Sequence, residues 1–160
     1  MPTLLEKQKL LEEIKGIRRI VVNKCHGGFG ISQKAVLRYL ELQGIKVWYE
    51  VDPKWASLGM GTYWLVPPEA DRVVSNPENW HDMSMAERIA HNQKYSDQVF
   101  QPRDIARDDP YLVKVVMELG DEANDRHAEL SIVEVPEEVD WVIEEYDGKE
   151  WIAERHRTWS

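Results

Sequence analysis

Apolar positions change their period several times along this chain, and each change marks an element. Residues 3–15 set Leu4, Leu10, Leu11 and Ile14 among charged side chains, and Thr3 and Glu6 have capping-box spacing. The pattern predicts a narrow amphipathic helix that stops at Gly16. Ile20, Val21 and Val22 run together without polar interruption, which predicts a buried strand over 18–23. Gly27, Gly28 and Gly30 break it, and Ser32 then caps a helix through 43, closed by Gly44. Its face of Ala35, Val36, Tyr39, Leu40 and Leu42 is broad enough to be buried. Strands are expected over 45–51 and 62–66, ended by Pro67 and Pro68, with a patternless loop over 67–82. Ser84 and Glu87 form a second capping box and open a short helix to about residue 95.

The second half carries stronger signals. Asp109 before Pro110 is a capping carboxylate followed by the residue best suited to a first helical position. Leu112, Val115, Val116 and Leu119 follow at helical spacing, and Gly120 suits the end. Strands are expected over 130–135, 139–146 and 149–154, the last two joined by Asp147-Gly148, a turn pair matched to strand twist. Val142, Glu144 and Tyr146 then share one hairpin face with Trp151 and Ala153, while Trp141 and Ile143 share the other with Ile152. Large apolar groups on both faces predict cover on both sides, for which a second subunit is one source. This element order predicts an α+β fold, a mostly antiparallel sheet with flanking helices, organised as a single domain over 17–160 behind a helical extension over 1–16.

Composition narrows the function classes. The 160 residues are 42% hydrophobic, enough for a real core, and no run approaches the roughly 20 apolar residues of a membrane helix. The start of the chain lacks the apolar stretch of a secretory signal, and a lone Cys25 suits a reducing compartment, so a cytoplasmic location is expected. A net charge of −9 disfavours long nucleic acid and anionic membranes as partners, yet leaves room for a small anion in a local positive pocket. Seven tryptophans suit either core and subunit packing or a stacking surface for a base or sugar. Five histidines without metal-ligand spacing and one cysteine predict no metal site, and no cofactor is expected.

Three segments could carry chemistry. In the turn Gly27, Gly28, Phe29, Gly30 and Ser32, glycines allow close backbone approach and a helix start supplies N–H groups, which suits a phosphate. A ligand-free strand-to-helix turn is the competing reading. Cys25 and His26, as strand neighbours, point to opposite sides and do not pair. In the segment 100–110, Phe100 can stack on a base, Arg103 and Arg107 can grip phosphate, and Asp104, Asp108 and Asp109 can orient those arginines or accept from ribose hydroxyls. A salt-bridged turn ending in a helix cap is the alternative there. Asn124 and Arg126 lie between a helix and a strand, where Arg126 could be a further phosphate donor or simply solvated. The acidic set Glu144, Glu145, Asp147, Glu150 and Glu154 reads as a solvated hairpin edge, and His156, Arg157 and Trp159 read as a tail that docks.

Taken in order, VVNKCHGGFGIS, RDIARDDP and a Tyr-Asp-Gly hairpin leading to His-Arg-Thr-Trp resemble a family of phage and prophage proteins, the anti-Thoeris sponges, over about residues 18–159. That resemblance implies a non-catalytic protein of the bacterial host cytoplasm, a dimer or hexamer. It would sequester cyclic ADP-ribose isomers, and in some relatives cyclic oligonucleotides, to counter host immunity. It further implies that Phe100 stacks on adenine, that Arg126 contacts phosphate, and that Arg107 and Asp109 make polar ligand contacts. Two other classes compete. A nucleotide-processing hydrolase or transferase would use His26 or Asp104, Asp108 and Asp109 as base, with magnesium; a protein-binding phage inhibitor would use the tryptophans as its partner surface.

Overall fold

The computed structural model describes residues 3–5 and 16–160. Of the helix expected over 3–15, Leu4 and Leu5 are helical and exposed; Glu6, its capping partner role and the rest of that helix lie outside the described residues. The chain is an α+β protein in which every strand pair is antiparallel. Its contacts group into two compact units, one of Met1–Tyr39 with Ile105–Ser160 and one of Leu40–Asp104. Among the described residues, no helix is long and apolar enough to cross a membrane.

In the first unit, β1 (Ile17–Asn23) pairs with β5 (Leu130–Pro136), with Ile20 opposite Val133 and Val21 opposite Ile132. The continuous apolar run of β1 is explained by its surroundings: Ile20, Val21 and Val22 are fully buried. A helix packs on both strands, α3 (Pro110–Leu119), and buries Leu112, Val113, Val115 and Val116. Each such side chain contributes about 1.5–3 kcal/mol when fully withdrawn from water. Asp109 caps this helix as its sequence predicts, with Oδ1 accepting from the N–H of Tyr111 at 2.8 Å. Ahead of it, α1 (Gln33–Leu42) buries Ala35, Val36 and Tyr39, and the Ser32 hydroxyl accepts from the Ala35 N–H at 3.1 Å. The hairpin of β6 (Trp141–Tyr146) and β7 (Lys149–Glu154) brings β7 beside β1. Its Ile143 and Ile152 face is half-buried, whereas on the other face Tyr146 is 72% exposed.

Gly148 in the hairpin turn is fixed by two independent demands. Its φ is +85°, and a Cβ there would stand 2.6 Å from both the Gly28 nitrogen and the His26 carbonyl oxygen. Both obstacles are main chain and cannot swing aside. Gly148→Ala is therefore expected to lower stability by about 2–3 kcal/mol, the positive φ and the overlap acting together. Urea unfolding followed by tryptophan fluorescence measures this, and an unchanged midpoint would contradict the packing.

The second unit holds the sheet β2 (Trp48–Val51), β3 (Gly61–Trp64) and β4 (Val99–Phe100), in that order. A 3₁₀ turn over Pro53–Leu58 joins the first two strands, and α2 (Met85–Gln98) precedes the third. The Ser84–Glu87 capping box forms in full, and the Ser84 N–H holds the Glu87 carboxyl below its ordinary pKa. None of the seven tryptophans reaches the core. Four carry a cation on the ring instead: Lys46 on Trp48, Lys54 on Trp55, Arg72 on Trp64 and Arg88 on Trp80. Those four rings are partly covered by snorkelling basic side chains instead of filling the core.

Candidate functional site

The glycine turn faces the protein itself. A Cβ on Gly27 would overlap the His127 carbonyl oxygen, and one on Gly30 would sit 2.7 Å from Asp125 Oδ2. The close approach that glycine permits is taken by the loop 124–128, whose Asp125 N–H donates to the Gly30 carbonyl at 3.2 Å. Gly28 differs, with φ +92° and open space where a Cβ would stand; there it is the missing Cβ of Gly148 that lets the two turns approach. Ser32 is committed twice, as the cap of α1 and as a donor to the Glu122 carbonyl at 2.6 Å. Cys25 and His26 are separated as expected: the thiol donates to the His127 carbonyl at 3.1 Å, and His26 is exposed.

Arg107 is likewise engaged. Its two terminal nitrogens donate to Glu150 Oε1 at 2.7 Å and Oε2 at 2.8 Å, and one also reaches the Val21 carbonyl at 3.2 Å. The guanidinium carbon lies 3.2 Å from the centre of the Phe29 ring. Glu150 was expected on a solvated edge; instead its side chain is only 8% exposed, against 21% for Arg107. The reason is strand alternation. Glu150 shares the hairpin face of Ile152, which turns toward β1, and there its Oε1 also accepts the Asn23 N–H at 2.8 Å. Only a paired and fully hydrogen-bonded carboxylate is tolerated in such a place.

Asn23 completes this assembly and was not singled out by the sequence reading. Fully buried, it donates through Nδ2 to the carbonyls of Cys25 and Gly148, both at 2.7 Å, and accepts the Glu129 N–H on Oδ1 at 2.8 Å. An asparagine closing the run Ile20-Val21-Val22 was the available signal, since a buried amide must satisfy all its groups. The other expected ligand residues divide between the two units. Phe100 on β4 and Arg103 in the 3₁₀ turn Pro102–Asp104 belong to the second. Asn124 uses Oδ1 to accept the Leu130 N–H at 2.9 Å. The side chains of Arg103 and Arg126 are exposed and have no hydrogen-bond or ion-pair partner among the described residues.

One cleft of the first unit gathers opposite charges around an apolar wall. About 550 Å³ in volume, it lies between the start of β1 and the start of α3, lined by Ile17, Arg18, Arg19, Ala106, Asp108, Asp109, Pro110, Val113 and Glu137. Asp108 and Asp109 come from the segment singled out in the sequence; the two arginines do not. Asp109 is fully committed, with Oδ1 on the helix cap and Oδ2 accepting the Tyr39 hydroxyl at 2.8 Å. Arg19 is held by Glu134 at 3.1 Å. Arg18 and Asp108 are looser: a single contact of 3.6 Å joins them, with the arginine side chain 40% exposed. An exposed ion pair of this kind is worth about 0–1 kcal/mol and exchanges readily for another partner. A smaller cleft of the second unit, about 380 Å³, is lined by Glu50, Val51, Val74 and Tyr95 around the Trp64–Arg72 stack. Among the described residues, no group of three His, Cys, Asp or Glu side chains is placed to hold a metal ion. Compared with protein-family models, curated proteins and solved structures, the chain matches none.

Proposed function

We propose that the protein is a non-catalytic sponge that binds a phosphorylated, nucleotide-like immune signal of the cyclic ADP-ribose type and holds it unchanged. The observation that supports this reading is the Arg18–Asp108 pair in the cleft between β1 and α3. A bare anion would gain little there, because Asp108, Asp109 and Glu137 line the same space. A phosphorylated sugar is different. Its phosphate takes Arg18, its hydroxyls take the Asp108 carboxylate so released, and Ile17, Pro110 and Val113 receive an apolar ring face. A charge-assisted bond of this kind contributes about 1.5–3 kcal/mol, or roughly 10- to 150-fold in affinity.

The experiment is direct. The protein is incubated with cyclic ADP-ribose isomers, freed of unbound ligand, heated, and the released molecules are weighed by mass spectrometry. Intact ligand released in stoichiometric amount is the expected result; a new product would make the protein a nucleotide-processing enzyme and overturn the reading. Arg18→Glu is expected to weaken binding at least about 10-fold by calorimetry. Wild-type affinity in Arg18→Glu, with loss in Arg126→Ala, would move the site to the loop 124–128 and reject the cleft.

A further inference from the structure

The hairpin has its own open edge, on β6, because β7 is the strand that lies beside β1. The Arg155 N–H donates to the Asp140 carbonyl at 2.7 Å, so 140 and 155 form a hydrogen-bonded pair. In the register of the hairpin the pairs 142 with 153, 144 with 151 and 146 with 149 are then hydrogen-bonded too. Trp141, Ile143 and Glu145 therefore turn their main-chain N–H and C=O groups away from β7, and none of these groups has a partner among the described residues. The two faces beside this edge differ. Trp141 and Ile143 lie on the half-buried face, where the Glu145 carboxylate accepts the Gly148 N–H. On the exposed face Glu144 has Tyr146 two positions along the strand and Trp151 directly across it, 72% and 43% exposed. The Trp151 indole N–H donates to Glu144 Oε2 at 3.0 Å, which fixes the carboxylate and leaves Oε1 without a partner among the described residues.

We propose that the outer edge of β6 docks an extended basic segment of another protein, which adds as an antiparallel strand and sets a lysine or arginine across from Glu144. Charge selects this occupant. Between residues 137 and 148 the chain holds six carboxylates and no Lys, Arg or His. A second copy would set two such runs side by side, where like charges repel. A basic strand gains instead, since its cation meets Glu144 Oε1 and the rings of Tyr146 and Trp151 while its main chain takes the groups of Trp141, Ile143 and Glu145. The cations nearest this edge do not compete: Arg155 is held by Asp140 at 3.2 Å, and Lys149 lies on β7, across from Tyr146. Charged edges also serve to keep strands apart, but that role requires neither two exposed rings nor a carboxylate held between them. Strand alternation fixes the partner's pattern. The residue opposite Ile143 is apolar and hydrogen-bonded to β6, and the cation opposite Glu144 turns its own main chain away.

The probe is a fluorescein-labelled peptide of alternating lysine and valine, titrated with the full chain and followed by fluorescence anisotropy. Saturable one-to-one binding is the expected result. N-methylation of the valines, which removes the donors that face β6 and keeps every charge, should weaken binding at least about 10-fold. N-methylation of the lysines, whose N–H groups face away, should change it by less than about 3-fold. Glu144→Lys, at an exposed position, should also weaken binding at least about 10-fold. Equal binding of the two methylated peptides would mean adsorption by charge alone and would overturn the proposal, as would absence of saturable binding or an undiminished affinity in Glu144→Lys. Light scattering covers the remaining occupant: a wild-type dimer that the peptide dissociates would place a second copy on this edge and likewise overturn it.

Discussion

Glu150→Ala is expected to lower folding stability by about 3 kcal/mol. The carboxylate is the junction of three parts of the first unit: the hairpin that carries it, the segment that carries Arg107, and the β1 strand end whose Asn23 N–H it accepts. Its removal leaves a guanidinium 21% exposed and pressed on Phe29 without a counter-charge, and leaves a main-chain donor without an acceptor. Breaking one partner of a buried pair costs about 3–5 kcal/mol, and the partial exposure of Arg107 sets the value at the lower end. The double variant Arg107→Ala with Glu150→Ala should be more stable than the sum of the singles by at least about 1 kcal/mol, because neither charge is then stranded. It should not return to wild type, since the Asn23 N–H still lacks its acceptor. Urea titrations of the four proteins give the cycle. Additive effects would show that the two side chains act independently and that the bidentate geometry is not what holds the hairpin.

This network also bears on how any ligand study is read. Arg107 lies in the segment that suggested phosphate binding, yet both of its terminal nitrogens are on Glu150. Loss of binding in Arg107→Ala would accompany loss of stability, so it cannot by itself assign Arg107 to a site. Arg18 is the cleaner probe, because its one ion-pair contact, at 3.6 Å to the half-buried Asp108 carboxylate, is long and contributes little to the fold.

What the sequence made legible was local. Ser32, Gly44, Ser84 with Glu87, Asp109 with Pro110, and Asp147 with Gly148 are short-range signals, and each lies at the element end it predicted. The period of the apolar positions likewise located β1, α1, α3 and the hairpin to within a few residues. The site was far less legible, because residue type does not reveal which groups a fold has already satisfied. Arginines and glycines read as ligand chemistry are the same residues a protein uses where its own loops meet, and only the pairing of residues far apart in sequence separates the two uses. Glu150 lies 43 residues from Arg107 and 127 from Asn23, and nothing local links them. Arg18 was read simply as the start of a strand, and it entered the cleft because the turn before α3 returns Asp108 beside it.

Asn23 carries the second large expected effect. Its side chain satisfies the carbonyls of Cys25 and Gly148 and the N–H of Glu129 from a position with no solvent contact. Truncation by Asn23→Ala strands part-buried main-chain groups on three segments, each at about 1–3 kcal/mol, and their partial access to water with relaxation of the two turns limits the total to about 3 kcal/mol. Asn23→Asp separates hydrogen bonding from volume. The two side chains have nearly the same shape, but a carboxylate has no proton for the Cys25 and Gly148 carbonyls that Nδ2 now faces. Burial and these two oxygens disfavour the charged form, so the folded-state pKa of Asp at this position is raised above its unfolded value of about 3.9. A raised native pKa means that the folded variant holds a proton the unfolded chain has released, and stability therefore falls as pH rises through the native value. The deficit of Asn23→Asp relative to wild type should grow between pH 4 and pH 7 by about 2 kcal/mol, while that of Asn23→Ala stays level. Paired urea titrations at the two pH values measure it, and a pH-independent deficit in Asn23→Asp would mean that Asn23 does not lie between those carbonyls.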